Sequence, residues 1–96
     1  MNKETIVNIL ESHQEQFRQM GVLRLALFGS AARDELQENS DIDLLVAFQD
    51  SPTFDAYLRL KRYLERILHR KIDLITESGL KPRARVLVQK DLIRVA

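Results

Sequence analysis

Apolar and polar residues alternate along this chain in two rhythms, and the switches between them mark its elements. From residue 3 to residue 20 the apolar groups Ile6, Ile9, Leu10, Phe17 and Met20 recur at helical spacing, with Gly21 placed to end the helix. Val22 to Phe28 is an apolar run bounded by glycines, the pattern of a buried strand. Ala31 to Leu36 has room for one short helix, and Asp41 to Phe48 predicts a second strand. Ser51 is suited to cap a helix with Pro52 at its first position. That helix runs to about His69, with Phe54, Tyr57, Leu58, Leu64, Ile67 and Leu68 on its apolar side. Lys71 to Thr76 predicts a third strand, Gly79 a turn and Pro82 the start of a helix through Gln89. Leu92 to Ala96 predicts a short fourth strand. The order predicts an α/β (α+β) fold: a small mixed sheet of three to four strands covered by helices.

The second strand carries an anomaly. Asp41 and Asp43 interrupt an apolar run that continues through Ile42, Leu44, Leu45 and Val46. Residues two apart in a strand share a face, so the two carboxylates point the same way and Ile42 and Leu44 point the other way. Adjacent carboxylates repel and resist desolvation, which a bound cation relieves. Asp73, in the run Lys71-Ile72-Asp73-Leu74-Ile75, is a third acid in an apolar setting. If its strand neighbours the second, the three acids can share a site. An all-oxygen donor set suits Mg²⁺, and three acids can hold two ions for in-line phosphoryl or nucleotidyl displacement. Gly29-Ser30 follows a strand and precedes a predicted helix. Glycine admits a ligand close to the backbone, the helix start offers unpaired N–H groups to phosphate, and the Ser30 hydroxyl can donate to it. Taken singly, each feature has an ordinary reading: a surface-strand acid pair, a turn, an edge-strand acid. Their order along the chain is more specific than any one of them.

Composition narrows the classes. The chain has 96 residues, 45% of them hydrophobic and 30% charged, which reads as one globular domain spanning residues 1–96. A net charge of +1 argues neither for nor against nucleic acid. There is no cysteine, so disulfides and thiolate metal sites are excluded. No apolar run is long enough to span a membrane, and the expected location is cytoplasmic.

The stretch Gly29-Ser30-Ala31-Ala32-Arg33, followed by Ser40-Asp41-Ile42-Asp43-Leu44 and later by Asp73, resembles the signature of the minimal nucleotidyltransferases of the DNA polymerase β superfamily. The resemblance implies a polymerase β-like nucleotidyltransferase fold. It further implies that Gly29 and Ser30 bind the triphosphate of ATP, that Asp41, Asp43 and Asp73 bind Mg²⁺, and that Asp73 helps deprotonate the attacking hydroxyl. Arg33 contacts phosphate or a partner in that reading; its alternative is a solvated helix residue. The family often has glycine where this chain has Asp34.

Superfamily resemblance leaves the acceptor open. The chain has no basic-aromatic stripe for single strands, so direct nucleic-acid binding is not expected. Small members resemble antitoxins whose partners are helical HEPN ribonuclease toxins. The resemblance implies transfer of AMP from ATP to a tyrosine hydroxyl of such a toxin, within a hetero-oligomer. A non-catalytic antitoxin and a transferase acting on a small hydroxylated molecule are the alternatives. Arg62 and His69 match the loose Arg-x(4–6)-His spacing of the toxin nucleases, but fit better as the polar side of an amphipathic helix, and His13 reads as a plain helix residue. The basic run from Arg59 to Lys71 is compatible with a solvated face, nucleotide phosphates or an acidic partner.

Overall fold

The computed structural model describes the backbone of residues 1–96 and every side chain except that of Leu87. The elements run α1 (Lys3–Glu11), α2 (Gln14–Gln19), β1 (Val22–Phe28), α3 (Gly29–Ala32), β2 (Ile42–Phe48), α4 (Phe54–Leu68), β3 (Ile72–Thr76), α5 (Pro82–Gln89) and β4 (Ile93–Arg94). A 3₁₀ turn, Glu77–Gly79, links β3 to α5. The four strands form one mixed sheet in the order β3-β2-β1-β4. β1 pairs antiparallel with β2 and with β4, while β2 and β3, joined through α4, are parallel. The predicted mixed sheet under helices is the observed architecture.

One sheet face is the core. Leu25, Leu27, Ile42, Leu44, Val46, Ile72 and Leu74 are buried together with Ile6, Leu10 and Phe17 from α1 and α2, and with Leu60, Leu64 and Leu68 from α4. The three α4 leucines recur every fourth residue, so they line one helix face. The opposite sheet face is more open: Asp43, Ala47 and Ile75 are half-buried there, and Arg24, Asp73 and Arg94 are exposed. A bulge between Val22 and Arg24 turns Leu23 outward, which explains a strand leucine that is 48% exposed.

Several expectations need correction: the short helix expected over Ala31–Leu36 is α3, Gly29–Ala32, and the strands begin at Ile42 and Ile72 rather than at Asp41 and Lys71. The helix from residue 3 to 20 is two helices, broken at Ser12-His13. The Ser12 hydroxyl donates to the Ile9 carbonyl at 2.7 Å, and His13 Nδ1 lies 2.8 Å from the same oxygen. These side chains take the carbonyl that a continuing helix would have used, and the His13 N–H turns to Leu10 at 3.1 Å. His13 is therefore a helix-breaking residue, not a plain helical one. Gly21 does end α2, at φ 82°. In α4 the cap is Thr53, not Ser51: its hydroxyl accepts from the Ala56 N–H at 3.0 Å, which leaves Pro52 outside the helix. The apolar side of α4 also differs, since Leu60 is fully buried and Phe54 is 72% exposed. No helix among the described residues is long and apolar enough to cross a membrane.

Candidate active site

The parity of β2 and the parallel pairing with β3 bring the acids together. Asp43 and Asp73 are register partners on adjacent strands, and Phe28, the last residue of β1, pairs with Asp43 from the other side. Asp41 lies just before β2, held near β3 because the Ile42 N–H donates to the Lys71 carbonyl at 3.0 Å. Gly29 begins α3 immediately beyond Phe28. Asp43 and Asp73 thus stand side by side at one end of the sheet, next to Gly29, with Asp41 the residue before β2.

Asp43 is the electrostatic centre of the group. Partial burial pushes its carboxyl above the ordinary carboxylate range, and the negative charges of Asp73 and then Asp41 push it further. Arg33 pulls the other way, more weakly. Among the described residues no three His, Cys, Asp or Glu side chains are grouped so that together they could hold a metal ion. The donor chemistry still fits a hard divalent cation: it is all oxygen, its charge is uncompensated, and one side is open. Mg²⁺ takes few protein carboxylates and completes its shell with water and phosphate oxygens.

Gly29 is shaped by this crowding. Its φ is 72°, a left-handed conformation that favours glycine, and a Cβ there would overlap the Asp43 carboxylate, lying 3.0 Å from Cγ. The absent side chain leaves the carboxylate room beside the turn. Ser30 is half-buried, and its carbonyl accepts from the Glu35 N–H at 2.8 Å, which folds the following loop back over α3. The first N–H groups of so short a helical turn have no carbonyl of their own to meet.

Arg33 is exposed but not simply solvated. Its guanidinium donates to Asp91 at 3.0 Å and to Glu35 at 3.3 Å. Asp91 lies in the turn between α5 and β4, so the C-terminal segment holds the arginine from 58 residues away. Nothing in the local spacing of either residue signals this pairing. Asp34, where the family often has glycine, has φ 58°, and its carboxylate accepts from the Lys3 N–H at 2.9 Å. The left-handed position explains the glycine, and the bond to the start of α1 is what aspartate adds. Arg62 lies on the outside of α4, and His69 is its left-handed C-cap.

Residues 6–95 match the nucleotidyltransferase domain family. The chain is 36% identical over 93 residues to the protein adenylyltransferase MntA of Thermococcus cleftensis, covering 96% of this chain and 94% of that protein. A solved chain provisionally designated a minimal nucleotidyltransferase superposes with a TM-score of 0.85 at 40% identity, covering 97% of this chain and 95% of that one. A Shewanella oneidensis complex of a tri-AMPylated HEPN toxin with an MNT antitoxin superposes with a TM-score of 0.68. At 19% identity, covering 94% of this chain and 71% of that one, it attests the fold alone.

Proposed function

The chain belongs to the nucleotidyltransferase family, as a minimal nucleotidyltransferase, and we propose that it transfers AMP from ATP to a hydroxyl of a partner protein. The observation that carries this reading is the convergence of Asp43 and Asp73 against Gly29, with Asp41 alongside. The curated relative named for protein adenylylation supports a protein acceptor over a small molecule. A HEPN toxin as partner, a tyrosine as acceptor and a role for this chain as antitoxin belong to the same proposal; the fold shared with an MNT antitoxin is compatible with them.

Each residue has a task in this chemistry. Asp41, Asp43 and Asp73 would hold Mg²⁺, which when bound offsets charge on the triphosphate and on the leaving pyrophosphate. The free N–H groups of the Gly29-Ser30 turn and the Ser30 hydroxyl bind phosphate oxygens. Arg33, oriented by Asp91 and Glu35, supplies positive charge at the same end. The acceptor oxygen attacks the α-phosphorus, the bond from that phosphorus to pyrophosphate breaks, and Asp73 receives the hydroxyl proton. Asp73 suits that task because it is exposed at an edge strand, where an acceptor can reach it, while Asp43 is partly enclosed.

The test is intact-mass spectrometry of a HEPN-type partner incubated with this chain, ATP and Mg²⁺. Addition of ~329 Da per event, the mass of a transferred AMP moiety, is expected. Calorimetry with and without EDTA should show ATP affinity falling when the metal is chelated. A partner that is bound and neutralised with no gain in mass would replace this reading with antitoxin action by binding alone.

A further inference from the structure

The outer face of α4 carries charge that neither the core nor the acidic site uses. Asp55, Arg59, Arg62 and Arg66 recur at helical spacing and stack in one exposed stripe, facing away from Leu60, Leu64 and Leu68. Among the described residues none of these three guanidiniums is in an ion pair, although Lys61 and Glu65 on the same helix pair at 3.0 Å. The stripe rims a cavity of about 530 Å³ walled by Met20, Leu58 and Tyr63. Tyr63 is fixed there. It meets Phe17 edge-to-face at 5.9 Å and His13 at 5.8 Å, and the Arg66 guanidinium stands 5.2 Å from its ring centroid.

We propose that this cavity and its arginines are a docking surface for an acidic segment of a partner protein. Guanidinium forks match carboxylates two-pronged, and three of them along one stripe present donors to successive turns of an acidic helix or strand. Arginine, tyrosine and methionine are the side chains enriched at protein interfaces, here gathered around an apolar wall with a charged rim. RNA fits less well. Single strands need a free aromatic face, and Tyr63 has Arg66 over its ring and T-shaped contacts with His13 and Phe17. Asp55 also sits in the rim, where it repels phosphate but accepts from a partner's N–H. α4 covers the sheet face opposite the one that carries Asp43, so docking and transfer use different sides of the molecule. An enzyme acting on a protein hydroxyl gains a grip on its partner that leaves the acceptor segment free. The proposal goes beyond the transfer reaction and stands or falls without it.

The full chain is titrated by fluorescence anisotropy against a labelled helical peptide whose glutamates, three and four positions apart, flank a leucine. The glutamine version of that peptide and a single-stranded RNA decamer are the comparisons. The glutamate peptide should bind best, and more weakly as salt rises. Arg59→Gln, Arg62→Gln and Arg66→Gln together should weaken it about ten-fold or more while ATP affinity and Tm hold. Should the triple variant fail to fold, Arg62→Glu alone carries the same expectation. Equal binding by a folded variant overturns the proposal, as does tighter binding of the RNA at the same arginines. Self-association of the wild type that the variant abolishes would assign the surface to a second copy and overturn it as well.

Discussion

The open face of the sheet carries carboxylates at both ends, in opposite circumstances. At one end Asp43 lies beside Asp73 and Asp41, and Arg33, paired with Asp91 and Glu35, offsets their charge only weakly. At the other, Glu77 follows β3 and accepts both prongs of Arg24, at 3.0 and 3.1 Å. Burial and then like charges raise the Asp43 carboxyl above its ordinary range, whereas the hydrogen bonds and charge of Arg24 lower that of Glu77. Glu77 has a partner supplied by the fold. Asp43 has none, so the fold tolerates at that end a repulsion that a cation would relieve. Unmet charge at a strand end separates a carboxylate with a proposed task from one that ties a turn to a strand.

The strongest way to break this contrast is to neutralise the crowded end. Asp41→Asn with Asp43→Asn preserves side-chain volume and removes the charge proposed to hold Mg²⁺. Transfer to the partner should fall by roughly a thousand-fold or more, read as lost AMP mass, while the variant stays folded and still binds the partner. Wild-type rates in the folded variant would sink the assignment.

Next in size is Gly29→Ala. The new methyl group meets the Asp43 carboxylate, and the left-handed backbone adds about 1–2 kcal/mol of strain. Both Tm and ATP affinity should drop. An unchanged ATP titration would show that the carboxylate and the turn do not act together.

Asp43→Asn alone sharpens the comparison through pH. The folded carboxyl titrates above its unfolded value, so its ionisation opposes folding. That penalty is absent below the ordinary carboxylate range and is complete once pH passes the raised value. In metal-free buffer the variant should therefore melt higher than wild type at neutral pH, and the gap should close as pH falls. A variant less stable at neutral pH would mean that Asp43 is a structural acid.

The smallest effect belongs to Glu77→Gln. Its depressed carboxyl stabilises the fold above the ordinary carboxylate range, and that contribution disappears as pH falls through the lowered value. The pair with Arg24 is largely solvated, so neutral-pH melting should drop by no more than a few degrees, with none lost in acid and no change in transfer. A large loss of transfer would extend the functional region across the whole open face.

Much of this site is local chemistry, and local chemistry is legible in a sequence. Strand parity puts Asp43 on the face of β2 opposite Ile42 and Leu44. The apolar run into Gly29 predicts a strand ending at a turn, and the structure shows that turn wrapped around a carboxylate. Pro82 starts α5 as its fixed geometry requires. What local patterns misjudge are places where two signals compete. Ser12 and His13 look helical by spacing, yet their side chains capture a backbone carbonyl. Ser51-Pro52 has the pattern of a helix start, yet the Ala56 N–H donates to the Thr53 hydroxyl and the helix begins after it.

The sequence by itself determined the strands, the inward face of β2 and the glycine turns at Gly21 and Gly29, because each depends on steric and hydrogen-bonding preferences within a few residues. Only the tertiary structure decided which strands became neighbours. Asp73 comes into register with Asp43 because α4 carries the chain across to a parallel pairing, which buries Leu60, Leu64 and Leu68 against the core. Asp91 reaches Arg33 because two-residue β4 adds to the edge of β1. Such pairings are set by the burial of apolar surface over the whole chain, a sum to which no short stretch holds more than a part.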